Sequence, residues 1–316
     1  MALAHTVSRS APRASRLGLG ALSTAVCCWS ITNLIPKVTQ MSGIGFAFYR
    51  LWLGAFVMVL ALTISGRRLT WSTIRASAPG GVLFGLNILL FVSALKMTSV
   101  ADALVIGALQ PALTLMVAGP LFGERITRSQ VWWTALSVGG VVLVVLGSAG
   151  APTWSLFGDA LAFGAVLLWT GYFLVSKRTR AKVPALEYMT AVTLVAAVVA
   201  SPVAIASGTL GVGVRPADWM WLALFLVGAQ GGHVLVAWAH AEVDVSVSSM
   251  FVLAQPIIAS VAAMALLGEP LTGLEVLGGA VVVASVAAIV RRTTAGSVVL
   301  DDDDGLPEPD SAAAAA

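Results

Sequence analysis

Arg50 is the residue whose type and position most invite chemistry. It is the one formal charge well inside an uncharged apolar run, about seven residues from its start, or ~10 Å along a helix at 1.5 Å per residue. A guanidinium there either anchors a carboxylate through paired hydrogen bonds or snorkels back to an interface. The other polar and aromatic groups inside apolar runs are few. Asn33 stands four residues after Trp29, on the same helix face, and Tyr172 and Phe173 stand three and four after Trp169. Such groups suit a cavity wall that stacks on flat cargo and offers a few hydrogen bonds; helix packing or an interfacial belt is the competing account. Gln110 and Gln255 each precede a proline, which kinks a helix and frees a carbonyl that a nearby amide can use. Asn87, Gln230 and His233 complete the set, the last two being i and i+3.

His233 bears on energy coupling. The acidic residues before the tail (Asp102, Glu124, Asp159, Glu187, Asp218, Glu242, Asp244, Glu269, Glu275) all lie at span ends or in connectors. Only His233 can change charge near neutral pH at depth, so the chain either works without protons or couples to them through His233; a buried structural histidine is the alternative. No metal site is expected, since His240 and Asp244 lack a third ligand, and no cofactor is implied. Nucleophile motifs, His-Glu-x-x-His and paired intraspan aspartates are missing, which argues against an enzyme. No ring of charges or filter-like run points to a channel. Cys27 and Cys28 are adjacent and staple nothing.

The elements that hold these residues follow from composition. At 58% apolar and 10% charged residues, with mean hydropathy +0.93, the chain cannot cover a water-facing surface. Its apolar runs reach the ~20 residues that cross a bilayer as a helix and lack the alternation of barrel strands. Ten spans are expected, at about 17–37, 43–65, 77–96, 101–122, 130–149, 155–176, 187–207, 217–239, 245–267 and 273–290. The net charge of +3 is spread over connectors, so the partners expected are a lipid bilayer and a small-molecule substrate, with no nucleic acid. Ten spans suffice for two facing halves, so a monomer and a homodimer both satisfy the pattern.

The second half repeats the first. Trp29 to Lys37 aligns with Trp169 to Lys177 at a shift of 140; Gln110-Pro111, Gly123-Glu124 and Thr127 align with Gln255-Pro256, Gly268-Glu269 and Thr272 at 145. The organisation expected is a tail at 1–16, repeats at 17–149 and 150–292, and a disordered acidic tail at 293–316. The Gly-Glu pairs read as turn and cap geometry. With the N-terminus inside, that side holds Arg9, Arg13, Arg16, Arg67, Arg68, Arg75, Arg125, Arg128, Lys177, Arg178, Arg180, Lys182, Arg291 and Arg292, against Lys37, Lys96 and Arg215 opposite. Both termini are therefore expected in the cytoplasm, the first helix uncleaved, in a cell membrane. Five spans per repeat then place the halves upside down to one another, the arrangement that supports alternating access.

The chain resembles the drug/metabolite transporter superfamily, in particular the EamA-type transporters. The resemblance is carried by Trp29, Lys37 and Arg50, by Ala94-Leu95 through Thr98-Ser99 and Ala101 to Pro111, and by Leu121-Phe122-Gly123-Glu124-Arg125-Ile126-Thr127 with its counterpart Leu266-Leu267-Gly268-Glu269-Pro270-Leu271-Thr272. It spans about residues 17 to 292; His240 beside Ala239, where the first repeat has Leu95, departs from the duplication. The resemblance implies ten helices and a secondary transporter of small metabolites, with export of amino acids or related compounds as the leading expectation. Export of hydrophobic cations, or a passive channel, are the alternatives.

Overall fold

The computed structural model describes residues 16–32, 35–98, 106–123, 126–147, 155–258 and 271–303, together with 103, 261 and 264. These residues are helical throughout their ordered elements, with no strand among them. The helices are α1 (Arg16–Thr32), α2 (Gly43–Ile64), α3 (Trp71–Met97), α4 (Gln110–Phe122), α5 (Arg128–Gly147), α6 (Leu156–Arg180), α7 (Ala185–Ala206), α8 (Pro216–Ala239), α9 (Val245–Ile258) and α10 (Gly273–Asp303). A single turn, Ile35–Val38, follows α1.

Local sequence sets the helix ends. Ser42, Thr70 and Ser155 each accept the backbone N–H three residues on, at the starts of α2, α3 and α6. The duplicated threonines open α5 and α10 through capping boxes. Gln130 N–H donates to Thr127 Oγ1 at 3.1 Å and Thr127 N–H to Gln130 Oε1 at 2.8 Å. Thr272 and Glu275 repeat the exchange at 3.2 and 2.9 Å. Gly123 ends α4 at φ 69°, a left-handed turn that a side chain would strain. Its neighbour Glu124, like Gly268 and Glu269 of the second copy, lies outside the described residues.

Six helices are long and apolar enough to cross a membrane, namely α2, α3, α5, α6, α7 and α8; α4, α9 and the Gly273–Ile289 part of α10 are shorter apolar helices. The expected fourth and ninth spans do not run unbroken. In α4 the helix starts afresh at Gln110 after a turn at 108–109, with Pro111 in the first turn where its missing N–H costs nothing. In α9 a 3-10 turn, Val252–Ala254, precedes Gln255-Pro256. The matched Gln-Pro pairs thus stand at interruptions in both halves, because the ring cannot accept a regular helical ladder behind it. The last helix also differs from expectation, continuing past Arg292 through Asp303.

The bundle turns large apolar side chains outward and buries a set of polar ones within its apolar core. Phe56, Met116 and Val227 are exposed, whereas Arg50, Gln110, Thr114, Thr190, Thr193 and His240 are buried. Water would not tolerate that surface; a hydrocarbon solvent does. Small residues let the helices close. A Cβ on Gly81 would lie 2.6 Å from Val195 Cβ, and one on Gly85 2.9 Å from Ala196 Cα, so the α3–α7 seam requires glycine. Gly140 and Gly278 meet backbone to backbone where α5 packs on α10.

Polar contacts fix which helix ends share a face of the bundle. At one end Arg67, just beyond α2, pairs with Glu187 at the start of α7 at 3.2 Å. There too Lys177 Nζ, near the end of α6, donates to Val243 O at 2.6 Å, beyond the end of α8. At the other end Lys96 Nζ, finishing α3, donates to Thr39 O at 3.0 Å, and Arg215 Nη2, starting α8, donates to Val38 O at 3.3 Å. So α3 finishes where α8 begins, and α6 finishes where α2 finishes.

Candidate functional site: a central cavity around Arg50 and His233

Arg50 sits two turns into α2, only 3% exposed, which removes snorkelling as an account of it. Its Nη2 donates to His233 Nε2 of α8 at 2.8 Å, and its guanidinium carbon lies 5.0 Å from the Phe225 ring and 5.6 Å from Phe84. No carboxylate forms a salt bridge with it among the described residues, whose ion pairs are Arg67–Glu187 and Arg215–Asp218. A buried cation without a counter-ion is costly, and aromatic faces offset part of that cost.

His233 is held in an aromatic nest. Trp29 and Phe84 each lie 4.8 Å from its ring and Trp169 lies at 5.6 Å. Trp29 reaches it because α8 gives way. Leu226–Gln230 form a π turn, Gly232 leaves room against the indole, and Trp29 Nε1 donates to Ala229 O at 3.2 Å. The two duplicated tryptophans meet edge to face at 5.6 Å.

Beside these groups lies a cavity of about 130 Å³. Trp29, Arg50, Asn87, Trp169, His233 and Gln255 face it, with Ile88, Phe91, Phe225, Val252, Leu253 and Pro256 as apolar wall. Pro36, Ala103 and Gly107 line it towards the end carrying Lys96 and Arg215. Asn87 spends its amide on Ala165 O at 2.8 Å, bracing α3 against α6. Packed side chains separate the cavity from the opposite end, where Arg67, Arg180, Leu186 and Trp238 line a second pocket. Tyr172, Phe173, Tyr188 and Met189 are each at most 1% exposed, and Tyr172 stacks on Trp169 at 5.1 Å.

A model described as the EamA-like transporter family matches residues 16–146 and again 156–291. The chain belongs to that family. It is a two-repeat, multi-pass helical membrane protein of a family of small-molecule transporters. No curated protein matches it. A protein known by its crystal structure superposes with a TM-score of 0.73 over 87% of this chain and 97% of its own, at 20% identity, a likeness of fold alone.

In this EamA-like chain both matched segments build the cavity. Trp29, Arg50 and Asn87 come from the first, and Trp169, His233 and Gln255 from the second. Other expected site residues fall elsewhere. Tyr172 backs Trp169 and donates to Met189 Sδ at 3.4 Å. Gln230 turns to α7, donating to Thr193 Oγ1 at 3.1 Å, because the π turn rotates it away from His233. Gln110 is buried, donating to Thr114 Oγ1 at 3.3 Å away from the cavity wall. Asn33 lies outside the described residues. Phe84 and Phe225 were not anticipated as partners of Arg50. Their sequence positions are ordinary apolar ones, and only the crossing of α2, α3 and α8 brings them onto the guanidinium.

Proposed function

We propose that this chain is a secondary carrier of the cell membrane that exports small carboxylate-bearing metabolites, amino acids and their relatives above all. The observation that carries the reading is Arg50, a buried guanidinium without a carboxylate partner among the described residues, on the wall of a cavity built by both repeats. A fixed positive charge attracts a carboxylate and repels a cation, so it speaks against hydrophobic-cation export. Trp29 and Trp169 supply flat faces for an apolar or aromatic side chain.

The mechanism proposed is alternating access by two five-span repeats of opposite polarity, both termini cytoplasmic. Its support is that α3 and α8, equivalent in the duplication, meet by the end of one and the start of the other. Export is the direction the family resemblance implies most often.

The test uses proteoliposomes preloaded with unlabelled amino acids and challenged with the labelled form of each. Saturable, trans-stimulated exchange that Arg50→Gln lowers roughly 10- to 100-fold is the expected outcome. Linear flux without trans-stimulation would identify a channel. Preference for a quaternary-ammonium probe, indifferent to Arg50→Gln, would overturn the reading.

A further inference from the structure

We infer that cargo and proton bind together at the Arg50–His233 pair: the carboxylate takes Arg50 away from His233, and His233 takes up a proton in exchange. The inference rests on the carboxylate reading above and adds the coupling to it.

The starting charge state follows from geometry. A guanidinium in a protein only donates, so the 2.8 Å contact requires His233 Nε2 to accept. The ring proton is then on Nδ1 and the imidazole is neutral in the empty site. Nδ1 is buried and meets no hydrogen-bond partner among the described residues. Among the described residues, the groups that meet the ring are Trp29 from α1, Phe84 from α3 and Trp169 from α6, all uncharged, and the Arg50 guanidinium from α2.

A carboxylate arriving in the cavity competes for the same donor. Its oxygens fit the planar guanidinium fork far better than one imidazole lone pair does. Once Arg50 turns to it, Nε2 is left as a buried acceptor beside an anion, and the Trp29 indole N–H in its nest is already given to Ala229 O. A proton drawn from the bulk solvent, and so from its buffer, through the water that enters with the cargo converts Nε2 to a donor, which the carboxylate accepts. The balance is simple. For a simple monocarboxylate, the empty site carries the single charge of Arg50 and the loaded site two cations and one carboxylate, the same net charge. Neither state then moves extra charge through the bilayer, which would be expensive. A simple monocarboxylate crosses with one proton and no net charge, so an accumulated acid leaves down its own gradient.

Phenylacetate, a flat monocarboxylate, is the probe. Its binding to the purified full chain is measured calorimetrically at about pH 8 in buffers of different ionisation enthalpy, which counts protons. The expected result is uptake of about one proton per phenylacetate bound. His233→Gln, whose amide oxygen still accepts from Arg50 but cannot be protonated, binds more weakly and takes up none. Wild-type binding without proton uptake overturns the inference while leaving the carboxylate site intact, and this arm needs no variant. Undiminished uptake in His233→Gln assigns the proton elsewhere and also overturns it. Wild-type binding no tighter than that of Arg50→Gln removes the carboxylate reading itself.

Discussion

Two buried arginines, Arg50 and Arg180, are put to opposite uses. Arg180, 7% exposed near the end of α6, donates Nε–H to Ala237 O at 2.6 Å and Nη1–H to Val183 O. These acceptors lie where α8 finishes and where α6 turns into α7, so the charge is absorbed by carbonyls at helix ends, which favour cations. Ser176 Oγ and His240 Nδ1, 2.8 Å apart, and Lys177 on Val243 O tie the same junction, with the Phe173 ring 4.7 Å from that of His240. Arg50 has one imidazole, two aromatic faces and a void beside it. The difference teaches how to separate a structural cation from an available one. Both side chains are buried; what differs is whether fixed acceptors already hold the donors.

The largest expected effect breaks the Arg50 side of that contrast. Arg50→Gln removes charge-assisted hydrogen bonds worth about 1.5–3 kcal/mol, so amino-acid counterflow should fall roughly 10- to 100-fold, with Arg50→Lys restoring little of it. Next comes the tied end. Arg180→Ala orphans two carbonyls at about 1–3 kcal/mol each. A cysteine placed at Ser176, after Cys27 and Cys28 are replaced, should then react faster with an impermeant maleimide; unchanged labelling would mean that Arg180 does not hold this end shut. Phe173→Ala should lower thermal stability by about 3–5 kcal/mol, being a fully buried ring. A smaller loss would show that its neighbours repack. Arg67→Gln, removing an exposed partner from the Glu187 pair, should change stability by about 0–1 kcal/mol, measured as a shift in Tm that shrinks in high salt.

Much of this molecule was legible from residue order. Composition and run length require a helical membrane protein, because a bilayer admits no unpaired backbone. The duplication is visible in Trp29 and Trp169, and Thr127 and Thr272 mark helix starts because a capping box is a local device. The Gln-Pro pairs announce interruptions for an equally local reason, the missing proline N–H.

What residue order left open was direction and company. Arg50 could have snorkelled, and only its burial against His233, Phe84 and Phe225 excludes that. Spacing put Gln230 and His233 on one face, but a π turn beside the contact of Trp29 with Gly232 sends the amide to Thr193 and leaves the imidazole at the cavity. Helical periodicity fixes which side chains share a stripe on one helix. Which stripe meets a void, and which meets carbonyls, depends on crossings between helices far apart in sequence. Those crossings are settled by the fit of small residues such as Gly81, Gly85 and Gly278, a property of the whole bundle.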